Sequence, residues 1–190
     1  MLRLNLVAEN PVPEKRFDMD SPWRMAIDGN RLVVGTLKGV VALFDFDKTG
    51  ALVEVGRFDF PRQVRGMAFT GGALTVVFDD GDLSAYNLSS WQKLIPAGRP
   101  RLPAPPMEIK PVPGRESVVV SLVGSGLGLV DVSQQKAPRL AGWFKVPKTY
   151  RGFNVASEMI LGTSIEGLDA ISIEKFEAGS MSKLAPEAMV

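Results

Sequence analysis

From Val64 to Ser90 the chain reads VRGMAFTGGALTVVFDDGDLSAYNLSS, short apolar runs each cut off by a glycine turn. The run VRGMAF ends at TGG, and ALTVVFD follows, rich in the β-branched residues that suit a pleated strand. Asp80-Gly81 is a hairpin dipeptide, because glycine accepts a positive φ without steric cost. DLSAYNL then alternates apolar with polar, and after two serines comes WQKLIPAG, Trp91 to Gly98. This pattern predicts a meander of four strands.

The same pattern recurs. Upstream, Trp23 to Phe58 reads WRMAI-DGN-RLVVGT-LKG-VVALFDF-DKTG-ALVEVGRF. Gly29 and Gly71, Gly39 and Gly81, and Asp45 and Asn87 all stand 42 residues apart. Downstream, MEIKPV-PG-RESVVVSLVG-SG-LGLVDVS runs from Met107 to Ser133, followed by PRLAGWFKV, Pro138 to Val146. A last copy, YRGFNVA-SE-MILGTS-IEG-LDAISIE, runs from Tyr150 to Glu174. Four-stranded units at a period of ~40–45 residues are the mark of a β-propeller. Helical repeats of that length fit poorly, since the runs are short, β-branched and broken by glycine. An unrepeated β-sandwich is the remaining competitor. The expected fold is therefore all-β: a propeller of four-stranded antiparallel blades at 23–58, 64–98, 107–146 and 150–174, in one domain over residues 1–190.

In the third and fourth copies, GLGLVDVS (Gly126 to Ser133) and APRLAGWFKVPKTYRGFNVA (Ala137 to Ala156) resemble the bacterial LVIVD-type β-propeller repeat, with EGLDAISIE a looser echo. The resemblance covers residues 107–174 best and the earlier copies only in outline. It implies a propeller fold and little about activity. Copies of that family usually come in longer arrays, and the Trp-Asp dipeptide of WD-repeat propellers is absent here.

An open row of four such sheets leaves two end faces bare. If each bares ~400 Å² of apolar area, covering both is worth on the order of 20 kcal/mol as an upper estimate. Three arrangements satisfy this: a closed four-bladed ring, two copies forming an eight-bladed ring about a two-fold axis, or a chain completing a larger propeller with other chains. The fourth copy supplies three good strands and then KFEAGSMSKL, Lys175 to Leu184, a weak strand that starts a tail over 175–190. At the other end LRLNLVA, Leu2 to Ala8, alternates cleanly and sets Leu2, Leu4 and Leu6 on one face. It is the expected outer strand of the last blade.

Composition narrows the chemistry. The 190 residues contain neither cysteine nor histidine. Disulfides, thiolate metal sites, a cysteine nucleophile and a Ser-His-Asp triad are therefore excluded. Net charge is +1, with 22 basic and 21 acidic residues, so no overall pull toward nucleic acid or an anionic membrane is expected. No apolar run approaches the ~20 residues of a membrane span. The start has too short an apolar run for a signal peptide, so a cytoplasmic location is the default, or export if a leader has been removed.

Candidate sites each have a plainer alternative. DFDKTG, Asp45 to Gly50, has the order of a calcium loop's start, yet it lacks the distal acid and suits a hairpin turn. FDDGD, Phe78 to Asp82, clusters carboxylates on a hairpin tip. VGSGLG, Val123 to Gly128, lies between strands, whereas a phosphate cradle needs a following helix. AGRPRLPAPP, Ala97 to Pro106, reads as an extended connection or a docking strip. Most pointed are the starts of the innermost strands, PWRMAI, VRGMAF and YRGFNV. They place Trp23, Arg24, Arg65, Tyr150 and Arg151 near one mouth of a central channel. Either they form a funnel for an anion or a partner, or they pair with loop carboxylates such as Asp18 or Asp59.

The expected function is a non-catalytic propeller scaffold that binds another protein or itself, with no cofactor, no metal, no nucleic acid and no membrane insertion. The alternatives are a ligand-binding or metal-dependent, lactonase-type hydrolase working at the channel mouth, and a structural subunit of a larger propeller.

Overall fold

The computed structural model describes residues 17–70, 72–87, 95–98, 102–134 and 138–177, the side chains of 87 and 95–98 excepted. The fold is all-β. Among the described residues fifteen strands form four antiparallel sheets, each a meander whose strands pair in chain order, and one helical turn follows them. The first sheet holds β1 (Pro22–Asp28), β2 (Arg31–Thr36), β3 (Val40–Phe46) and β4 (Leu52–Asp59). The second holds β5 (Val64–Thr70), β6 (Ala73–Phe78), β7 (Leu83–Asn87) and β8 (Ile95–Gly98). The third holds β9 (Pro106–Pro111), β10 (Ser117–Leu122), β11 (Gly126–Asp131) and β12 (Arg139–Phe144). The fourth has three strands among the described residues, β13 (Gly152–Ala156), β14 (Met159–Ser164) and β15 (Gly167–Ser172).

Glycine sets the hairpins where the sequence repeats. Gly39 and Gly126, which stand at the entry to the third strand of their sheets, have φ of +87° and +82°. A Cβ at either would lie 2.1 Å from the carbonyl oxygen of Phe60 or Phe144. Only glycine meets both the conformation and the approach of the neighbouring chain.

The sheets pack face to face through their first strands: β1 on β5, β5 on β9, β9 on β13. Each sheet has a front face toward the preceding sheet and a rear face toward the following one. The first junction sets Ala26, Val33, Val41 and Leu43 from the rear of sheet one against Val64, Met67, Leu74 and Val76 from the front of sheet two. The second sets Ala68, Val77 and Leu83 against Ile109, Val118, Val120 and Leu122. The third sets Val119, Leu127 and Leu129 against Tyr150, Phe153, Ile160 and Ile171. Both faces of the middle sheets are thus covered, and β6 and β10 are buried at every residue. A strand buried on both faces reads as a continuous apolar run rather than an alternation, as VVF (Val76–Phe78) and VVV (Val118–Val120) do here.

The terminal sheets differ. Along β1 and β14 burial alternates, yet the uncovered face is apolar: Trp23, Met25 and Ile27 on one, Met159 and Leu161 on the other. No packing comparable to the three junctions joins β13 to β1 among the described residues. The four sheets form an arc with two open ends. Closure of the four on themselves, one of the arrangements the repeat number allows, is not what the described residues show.

Two sequence expectations concern the ends. The Leu2–Ala8 strand lies outside the described residues, as does 178–190 of the tail. At its start, the segment expected as a weak strand is instead a single helical turn, α1 (Glu174–Glu177). Phe176 explains it: the turn, closed by its N–H on the carbonyl of Ile173 at 2.9 Å, buries the ring 5.7 Å from that of Phe144. In an extended edge segment of Ala, Gly and Ser the one large apolar side chain would have no such cover.

Candidate functional site

The first strands line the axis of the arc. β1 and β5 each begin with a bulge, since the pairing register shifts between Pro22 and Arg24 and between Val64 and Gly66. Trp23 and Arg65 are the extra residues. Pairing then aligns Met25 with Val34 and Met67 with Val76, so Arg24 matches Gly66, and Trp23 matches Arg65. In β13, Phe153 pairs with Gly162, which puts Arg151 in the position of Arg65 and Tyr150 in that of Val64. The three arginines are not equivalent. Arg24 is one residue out of phase, and in a strand that single step reverses the face.

Arg24 spans three first strands. Its Nε donates to the carbonyl of Arg65 at 3.0 Å and its Nη2 to that of Met107 at 3.4 Å, while its guanidinium lies 4.6 Å from the Trp23 ring centre. Its partners are carbonyls, not Asp18 or Asp59. With Ala26, Gly66, Ala68, Glu108 and Lys110 it borders a groove of about 180 Å³ between β1, β5 and β9. Glu108 and Lys110 pair there at 2.9 Å. Arg151 is exposed.

Tyr150 is only 1% exposed and sits inside the third junction. Its carbonyl accepts from Ser121 Oγ at 2.6 Å, and its hydroxyl donates to Asp169 Oδ2 at 2.8 Å. Lys148 holds the same carboxylate at 3.2 Å and Glu166 at 2.9 Å. Burial, and then the Asp169 carboxylate, push the Tyr150 phenol up to about 12. The hydrogen bonds that Lys148 donates to Glu166 and then to Asp169 raise it to about 12. Tyr150 and Lys148 in turn hold Asp169 below the usual carboxylate range. This is a clamp that fixes the 145–151 connection onto the fourth sheet. A Ser at position 121 and an Asp two residues beyond Gly167 were its sequence traces, too ordinary to single out.

The acidic turns are occupied by the chain itself. Asp47 Oδ1 accepts from the Thr49 hydroxyl at 2.6 Å, the Thr49 N–H at 2.8 Å and the Ala51 N–H at 2.9 Å. These bonds, the hydroxyl's first, lower its pKa. The result is a self-closed turn of the kind aspartate favours. At the β6–β7 hairpin Arg62 donates to Asp80 at 3.0 Å and Asp82 at 2.5 Å, its guanidinium 4.0 Å from the Phe78 ring centre. Among the described residues no group of three or more His, Cys, Asp or Glu is placed to hold a metal ion. Nor is any helix among them long and apolar enough to cross a membrane.

What remains unpartnered is apolar. Met67, Ile109 and Phe153 hold the same place on the front face of sheets two, three and four and are 5%, 3% and 7% exposed. Met25, their counterpart in sheet one, is 74% exposed. On the rear faces, Val41, Leu83 and Leu127 pair with Gly35, Val77 and Ser121 and are all 0% exposed. Leu168, paired with Thr163 in sheet four, is 67% exposed. Sequence reasoning placed the site at the channel mouth. The larger unsatisfied surfaces are these two end faces.

No family model matches the chain, and no curated protein matches it. Solved structures do. The computationally designed Ika4 protein superposes with a TM-score of 0.62 at 14% identity, over 82% of this chain and 93% of that one. Kuenenia stuttgartiensis hydrazine synthase gives 0.65 at 15% identity, over 87% of this chain and 50% of that one. The β-propeller domain of Myceliophteria thermophila Cps50 (Swd1) gives 0.65 at 14% identity, over 87% and 56%. The chain thus spans about half the length of the latter two. At such identities the likeness concerns fold alone, and the fold is that of β-propeller sheets arranged about an axis.

Proposed function

We propose that this chain is a non-catalytic β-propeller module whose work is protein interaction, and that its two end faces are the surfaces it binds with. One observation carries the reading. Register positions buried at every internal junction are bare at the ends, 74% at Met25 and 67% at Leu168. Apolar strand faces of that kind on a soluble chain mark interaction sites. The likeness of Gly126–Ser133 and its surroundings to LVIVD-type repeats is compatible with this reading through the fold that it implies. So is the assignment of Leu2–Ala8 as a fourth strand on the free edge of β15, which would otherwise be an open edge.

The chain has no cysteine, so single introduced thiols report on single positions. The test uses Ile27→Cys on the front of sheet one, Leu168→Cys on the rear of sheet four, and Lys48→Cys on an exposed turn as reference. In the native extract, maleimide should label the first two at least about tenfold more slowly than the third, as expected for a face covered most of the time. End-face thiols that react as fast as the reference thiol sink the reading.

A further inference from the structure

We infer that the partner is a second copy of this chain, and that two copies close head to tail into one ring of eight sheets about a two-fold axis. The inference rests on the end faces being binding surfaces and names what binds them.

The chain builds the same junction three times, always a front face on a rear face. The first-strand contact shows how alike they are. At the first junction the site is Gly35 against Val64: a Cβ on Gly35 would stand 3.1 Å from the Val64 Cβ. At the third it is Ser121 against Tyr150, joined by the 2.6 Å bond from Oγ to the carbonyl. Gly35, Val77, Ser121 and Thr163 share one place in the pairing, each opposite the first or second residue of the next strand. Val64 and Tyr150 share another with Pro22. Thr163 and Pro22 are thus the two halves of a fourth junction, and one chain carries both halves at opposite ends. The first front face and the last rear face are unlike each other, so neither can pair with its own kind by this packing. Each fits the other end of an identical molecule.

Two copies then make two such junctions at once, related by a two-fold axis, and no end face is left over. Each face presents on the order of 400 Å², so two junctions counted from both sides bury about 1,600 Å², the size of a standard stable interface. The arc overlays 56% of the Cps50 β-propeller domain at a TM-score of 0.65, so its sheets splay as in a ring that holds further sheets beyond these four. A ring of eight lies within the usual range of about 4–8 blades.

The experiment uses the purified full chain. Light scattering should give twice the 20.6 kDa chain mass. The double variant Pro22→Cys/Thr163→Cys should oxidise to a covalent dimer carrying two bridges, because disulfide-linked Cβ atoms lie about 3.5–4.5 Å apart, close to the Gly35–Val64 spacing. Each single variant should stay unlinked. If the double variant folds poorly, the light-scattering mass of the parent and the maleimide rates of Ile27→Cys and Leu168→Cys on dilution decide instead, and both thiols should become reactive as the mass halves. A bridged monomer means that the chain closes on itself and overturns the inference. A ladder of linked multimers, or a doubled mass without linkage, overturns it too. A single-chain mass with thiols protected only in the native extract overturns the self-pairing alone and leaves the interaction module standing. A single-chain mass with thiols free in both settings removes both.

Discussion

Gly66→Ala tests the junction rule most directly. Gly66 lies on the rear of sheet two, and its φ is not in the left-handed region, so alanine is conformationally allowed. In the unfolded chain the substitution removes backbone freedom and would by itself stabilise by about 0.4–1 kcal/mol. The obstacle is across the junction. The new methyl would meet Ile109 Cγ2 at 2.7 Å, the Ile109 main-chain nitrogen at 3.1 Å and Val77 Cγ2 at 3.2 Å. The Ile109 methyl is attached at a branched Cβ and the nitrogen belongs to β9, so neither yields by a simple rotamer change. Overpacking of this kind costs about 1–3 kcal/mol. The net expectation is a loss of about 1–2 kcal/mol, or a melting temperature lower by roughly 2–8 °C in a chain of this size. Urea unfolding followed by tryptophan fluorescence reads it as a lower midpoint at unchanged slope. Ile109→Ala makes the reasoning sharper. Alone it leaves a cavity costing about 2–5 kcal/mol. Combined with Gly66→Ala it makes space for the new methyl, so the two losses should fall short of their sum by about 1 kcal/mol. A Gly66→Ala protein as stable as the parent, or strictly additive losses, would refute the account of small rear residues accepting large front ones.

Two further outcomes follow from the clamp and the chain ends. Tyr150 and Lys148 both hold their protons more tightly when folded, each up to about 12 from ordinary values of 10.0 and 10.5. Their contribution is complete below pH ~10 and is lost as pH rises toward ~12, because the unfolded chain there binds fewer protons than the folded one. Tyr150→Phe should flatten that alkaline loss in a series of melting curves, and an unchanged slope would exclude the role given to the phenol. Removing residues 1–8 should lower the melting temperature by exposing the outer edge of β15, and a truncated chain that melts with its parent ends the proposal that Leu2–Ala8 completes the fourth sheet.

The repeat was legible because hairpin glycines are dictated by backbone geometry, which leaves little freedom of spelling. Gly39, Gly81 and Gly126 mark the same turn in three sheets, and the apolar runs between them had to be strands. The site was less legible for a reason of phase. PWRMAI, VRGMAF and YRGFNV look alike by eye, but with Met25, Met67 and Phe153 aligned Arg24 stands one place beyond Arg65 and Arg151, and a step of one decides which side of a strand a residue serves. In the sequence Tyr150 reads as a mouth residue because it stands beside an arginine at the start of an innermost strand. Its place is that of Val64, inside a junction. The open ends could not be read from composition at all. β14 is written like a strand covered on both sides, and only the packing reveals that one cover is missing.

The dissimilarity of front and rear gives the arc a direction, as a polymer has a head and a tail. Adding or removing a whole unit would change its length but not the character of either terminus, so nothing within a single unit counts how many there should be. That number is fixed only by the angle between neighbours, summed until tail meets head. Substitutions that alter this tilt, such as those at the small residues along the axis, would therefore act on stoichiometry as well as on stability.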